Sequence, residues 1–164
     1  MIPDLGPGTY TRQYFSSGRY TILQCASRGH NVPLIGGREQ YAGEAAAARD
    51  TTCANGVFRT EISGAYGVPG LDRLLRSFSF GADSVTLTDE IRYSGEGCVT
   101  ERFVSLAQPT PGDGFVTVDE ARISYDAARV TPVIRSERTE EGADVWFVDF
   151  DLPEGTEKFS VVIG

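Results

Sequence analysis

The chain has 164 residues, 40% of them hydrophobic and 23% charged, with 23 acidic against 15 basic side chains for a formal net charge of −8. That length and mix can bury a core without a disulfide or metal staple, and they exclude a disordered or fibrous polypeptide. The acidic balance excludes a nonspecific grip on nucleic acid phosphates, so no nucleic acid partner is expected.

The opening, MIPDLGPGTY, has neither the basic nor the apolar region of a signal peptide, and it does not resemble a natural start. No apolar run approaches the roughly 18 residues of a membrane helix, so no membrane partner is expected either. From Gly18 onward, short β-rich runs alternate with Gly, Pro and Asp punctuation at strand-and-turn spacing. RYTILQCAS, VFRTEISGAY, LLRSFSF, SVTLTDEIRY, CVTERFVSLA, GFVTVDEARISYD, ADVWFVDFDL and KFSVVIG each carry β-branched or aromatic residues in partial alternation, which predicts strands. In SVTLTDEI, Val85, Leu87 and Asp89 share one face, and Thr86, Thr88 and Glu90 share the other. REQYAGEAAAARD is rich in alanine, but Gly43 interrupts it and no apolar stripe would dock a helix; strand, loop or a brief turn is expected there. PTPGDG at 109–114 and TEEGAD at 139–144 read as hairpin ends. No repeat, low-complexity tract or linker divides the chain. An all-β fold follows, a two-layer antiparallel β-sandwich over residues 1–164 as one domain, with a closed barrel as the alternative.

Chemistry is sparse. Cys25, Cys53 and Cys98 are odd in number and lack metal-type spacing, so buried free thiols are expected. Neither a G-x-x-x-x-G-K-[ST] phosphate loop nor a G-x-G-x-x-G turn is present, which leaves a nucleotide cofactor without support. Asp149 and Asp151 share a strand face; they could bind a cation, and a solvated face is the expected reading. His30, in CASRGHNVPLIGGREQYAG, is the one histidine of the chain. It gains meaning if Asp4, in PDLGPGTYT, is brought beside it by neighbouring strands, because an imidazole nitrogen and a carboxylate oxygen make a mixed donor set suited to zinc.

Taken in order, DLGPGTYT, RYTILQCASRGHNVPLIGGREQYAG, LLRSFSFGADSVTLTDEI and VTERFVSLAQPTPGDGFVTV resemble the C-terminal β-sandwich part of heparinase II/III-like polysaccharide lyases. The likeness covers nearly the whole chain, and its most specific part is the H-N pair at His30 and Asn31. The resemblance implies a fragment of a larger protein, truncated on its N-terminal side, in which an α-helical toroid precedes the sandwich and acidic, uronate-containing glycans are cleaved by β-elimination. It implies a zinc ion in the parent held by Asp4, His30 and a third histidine with no counterpart here, so the site is incomplete in this chain. It also implies a substrate-side role for Tyr10, catalytic groups that lie outside this chain, and an isolated segment without activity. The partners it implies are the acidic polysaccharide and the missing helical domain. The compartment stays open, a secreted or periplasmic parent being one option. The alternative is a noncatalytic carbohydrate-binding or scaffolding sandwich with an aromatic face at Trp146 or Tyr93.

Overall fold

The computed structural model describes residues 2–164. Among the described residues twelve strands form two antiparallel sheets. The smaller sheet has the order β1 (Leu34–Ile35), β6 (Val99–Ser105), β11 (Asp144–Asp151), β10 (Val133–Arg138). The larger runs β2 (Arg49–Ala54), β3 (Val57–Glu61), β4 (Leu71–Phe80), β5 (Val85–Tyr93), β12 (Lys158–Ile163), β9 (Ala121–Ser124), β8 (Phe115–Val118), β7 (Thr110–Gly112). Both sheets are open, so the fold is the sandwich and not the barrel.

The alternation read in the sequence is what builds the core. Leu87, Asp89 and Ile91 of β5 are buried, whereas Glu90 turns outward to pair with Arg73 at 2.7 Å. Phe150 of β11 has no exposed surface and faces the interlayer space, where it meets Phe103 of its own sheet at a ring-centroid distance of 6.0 Å, and Tyr125 and Phe159 at 5.1 and 5.3 Å. Burying one such ring contributes about 2–3 kcal/mol, so this cluster holds the two layers together. Both expected hairpin ends are present: β7 pairs β8 around Asp113–Gly114, and β10 pairs β11 around 139–143.

Three expectations fail. RYTILQCAS is not a strand; Arg19–Thr21, Leu23–Cys25 and Ser27–Gly29 are successive 3-10 turns. It does not join the sheet at β6, whose outer edge β1 and the Asn31 side chain occupy. The segment lies instead on the outer face of the smaller sheet, where Leu23 packs with Val104, Val145 and Phe147, flanked by Leu5. GFVTVDEARISYD is not one strand but the hairpin of β8 and β9, because Asp119 takes a positive φ at the reversal. The cysteines are free but not buried: Cys53 is exposed, and Cys25 and Cys98 are partly so. The alanine-rich segment before Arg49 forms no helix, as Gly43 and the missing apolar stripe require.

The smaller sheet is therefore covered on both faces. That is why every residue of β6 is buried, polar ones included, and why charged groups must find partners inside.

Candidate functional site

Asp4 sits in an Asx turn: Gly6 N–H donates to its Oδ1 at 2.8 Å, and Gly6 takes φ +64° to close the turn. That leaves Oδ2 free, and His30 Nδ1 lies 2.9 Å from it. His30 closes the turn Ser27–Gly29, its N–H donating to Ser27 O at 3.0 Å. Gly29 is required before it, since a Cβ there would collide with the carbonyl oxygen of Leu23. On the far side of the ring Nε2 approaches Gln24 O at 3.3 Å. A carbonyl and a carboxylate both only accept, so each of these two contacts calls for a hydrogen on the ring nitrogen that makes it, Nε2 toward Gln24 O and Nδ1 toward Asp4 Oδ2. Burial pushes the Asp4 carboxyl up, but the His30 hydrogen bond, the Gly6 N–H and the His30 charge outweigh it and hold it below the ordinary aspartate range. The pair is accessible, with 30% of the His30 side chain and 59% of the Asp4 side chain exposed. Beside it opens a hollow of about 380 Å³ between Tyr20, Cys25, Glu39 and Tyr41.

The sequence reading brings Asp4 and His30 together, and the structure does so too, but on coil segments and not on neighbouring strands. What joins them is Asn31. Its Nδ2 donates to Pro3 O at 2.9 Å, fixing the residue before Asp4, and its Oδ1 accepts from Val104 N–H at 2.8 Å. β1 covers only the Val99–Thr100 end of β6, so at Val104 a side-chain amide stands in for a strand.

Two buried guanidinium groups hold the same loop from below. Arg76 of β4 binds Asp89 of β5 through Nε and Nη2, binds Glu101 of β6 through Nη2 at 2.8 Å, and donates from Nη1 to Asn31 O at 2.8 Å. Arg102 of β6 binds Asp149 of β11 in a fork at 2.8 and 2.7 Å, stacks over the Phe147 ring at 4.1 Å, and donates from Nη1 to Arg28 O at 2.9 Å. The carbonyls two residues before and one residue after His30 are thus each pinned by an arginine. The cation beside Asp149 and Asp151 is also an arginine: Arg135 reaches both, at 2.6 and 2.8 Å. Asp149 is fully buried, which corrects the solvated-face reading for it.

Asn31, Arg76 and Arg102 are the positioning residues that sequence reasoning did not assign. The H-N pair pointed to Asn31; nothing local in the sequence singles out these two of fourteen arginines. Tyr10 is 68% exposed, with its ring against Tyr14 at 4.7 Å and Phe15 at 5.8 Å. Thr9 beside it donates to Glu141 at 2.6 Å; that bond first, then those of the Glu141 backbone and Gln24, brings the Glu141 carboxyl down to about 2. Tyr93 donates to Glu96 O and packs on the core, and Trp146 is half-buried, so neither forms an open aromatic face. Among the described residues no group of three or more His, Cys, Asp or Glu side chains could hold a metal ion.

No family model matches the sequence, and no curated protein does. Solved structures do. A heparan sulfate lyase HepC mutant from Pedobacter heparinus superposes with a TM-score of 0.68 at 15% identity, over 99% of this chain and 28% of that one. A heparinase III structure gives a TM-score of 0.62 at 14% identity, over 99% of this chain and 27% of that one. The chain therefore has the fold of a portion of these heparinase-type structures, and spans just over a quarter of their length.

Proposed function

We propose that this chain is the noncatalytic β-sandwich portion of a polysaccharide lyase that cleaves acidic, uronate-containing glycans by β-elimination. The observation that carries this reading is the coincidence of a fold likeness running through 99% of the chain with the accessible Asp4–His30 pair at 2.9 Å. Elimination needs the sugar carboxylate neutralised, a base for the α-proton and an acid for the leaving oxygen, converging in one cleft. The hydrogen-bond partners of the His30 ring are Asp4 and the Gln24 carbonyl, and neither supplies these groups. The reacting groups belong to the rest of the parent protein, and Tyr10 would face the glycan from the sandwich side.

Zinc fits the pair as far as two donors go. Nδ1 and Oδ2 face each other at an accessible edge, and Nε2 gives its hydrogen to a backbone carbonyl, the outer contact that orients a ligating histidine. Asp4 and His30 would hold the ion, with a third ligand from elsewhere in the parent, and its contribution would be structural.

The parent protein, incubated with heparan sulfate, heparin and other uronate glycans, is expected to release products with the ultraviolet absorbance of an unsaturated uronate. The isolated chain should release none. A parent that gives no such product from any uronate glycan sinks the lyase reading. The rival, a carbohydrate-binding sandwich, draws support from the exposed rings of Tyr10 and Phe15. It requires heat on calorimetric titration of the isolated chain with oligosaccharides, lost on Tyr10→Ala.

A further inference from the structure

The interlayer space holds a charge imbalance. Asp89 and Glu101 have no exposed surface, and Arg76 is the guanidinium that both of them contact. Asp89 takes the Nε and Nη2 hydrogens, Glu101 Oε2 shares Nη2, and Nη1 is spent on Asn31 O. Glu101 Oε1 is buried with no donor among the described residues. As a carboxylate it would share one cation with Asp89 and leave Oε1 an unsatisfied charged acceptor in an apolar layer, a disfavoured state. As a carboxylic acid it becomes a donor, and Asp89, whose Oδ2 binds the same Arg76 Nη2 as Glu101 Oε2, is the neighbouring carboxylate that can accept. The other titratable group facing the cluster is Tyr66, which burial keeps protonated and which donates to Pro33 O at 2.8 Å. In register from β11, Phe150 stands opposite Glu101 and brings no charge.

We propose that Glu101 is a protonated acid at neutral pH, hydrogen-bonded to Asp89, and that this one buried proton lets a single arginine tie both sheets to the loop carrying His30. Burial, with the neighbouring Asp89 charge, pushes Glu101 well above the ordinary glutamate range, in keeping with that assignment. The device is an alkaline-sensitive latch. When the proton leaves, the layer carries an uncompensated charge and Arg76 is drawn away from Asn31. The inference stands on the intact chain alone and does not need the lyase reading.

The sign follows from proton counts. Between the ordinary glutamate range and the raised folded value, the native state binds one proton more than the unfolded chain, so stability falls as pH rises. The folding constant should drop about tenfold per pH unit through that window. Infrared spectra of the chain are expected to show the carbonyl band of a buried carboxylic acid at neutral pH, titrating away reversibly at alkaline pH and absent in Glu101→Gln. Urea melts should show the stability gap between Glu101→Gln and wild type shifting in the variant's favour as pH rises. The Asn31 side-chain amide resonances should move with the same midpoint as the infrared band. Absence of the band in wild type overturns the proposal without any variant, as does its persistence in Glu101→Gln. A stability gap that is constant with pH also overturns it, and Asn31 resonances that ignore the titration overturn the link to the loop.

Discussion

The two buried arginines are built from the same parts and differ in stoichiometry. Between the sheets, one guanidinium, Arg76, serves two buried carboxyls, Asp89 and Glu101; on the outer face of the smaller sheet, two guanidiniums, Arg102 and Arg135, serve two carboxylates, the buried Asp149 and the partly exposed Asp151. Each arrangement spends a spare N–H on a loop carbonyl beside His30. The acid-rich cluster must keep a proton to stay neutral, whereas the outer one balances two cations against two carboxylates and needs none, with Arg135 43% exposed so that water also screens it. Proximity of opposite charges says little by itself. The count of charges in each dry space decides which groups titrate and which part of the loop depends on pH.

The largest test of this contrast removes each arginine. Arg76→Met leaves both interlayer carboxyls without a cation and should cost about 3–5 kcal/mol, the range for breaking a buried pair from one side. Arg102→Met leaves Asp149 still bound to Arg135 at 2.6 Å and should cost about 2 kcal/mol, the loss of charged hydrogen bonds. Urea melts at neutral pH with unchanged m-values read both. Equal losses would break the comparison, because they would mean that Arg135 gives Asp149 no cover.

A smaller effect sharpens where the two arginine anchors end. Asn31→Ala keeps the backbone carbonyl that Arg76 binds but deletes the bonds to Pro3 O and from Val104 N–H. The orphaned amide should cost about 1–3 kcal/mol. The imidazole resonances of the one histidine should also shift, because the segment before Asp4 is released. If the stability loss appears without a change at His30, Asn31 is a sheet cap only.

Most of the layered fold was legible because strands dry on one face announce themselves by alternation, as 85–91 does with Leu87, Asp89 and Ile91. Ranges such as Val133–Arg138 were missed; this edge strand has no buried residue and so no apolar signal. The turns at Arg19–Gly29 read as a strand in the sequence because β-branched and aromatic residues fit either state; in the fold the segment lies across the outer face of the smaller sheet, where Leu23 packs on Val104, Val145 and Phe147. The Asp4–His30 pairing could be reached from donor chemistry. The arginines beneath it could not, since their meaning lies in partners 13, 25 and 47 positions away in the chain.

The smallest stability effect belongs to the pair itself. Asp4→Asn removes one side of a contact whose carboxylate is 59% exposed, so solvent screening limits the loss to under about 1 kcal/mol, shrinking further with added salt. Because the folded Asp4 carboxyl is held below its ordinary range, its contribution is present above that range and disappears as pH falls through the lowered value. Wild type and Asp4→Asn should therefore converge in acid and separate only slightly at neutral pH. Asp4 and His30 are held in place by Asn31, Arg76 and Arg102, not by each other, so replacing either should matter far more to a bound cation than to the fold. Zinc titration followed at the His30 resonances should lose its response in Asp4→Asn while the urea midpoint barely moves. A large midpoint shift with an unchanged zinc response would make the pair a structural contact, placing it with the buried anchors and not apart from them.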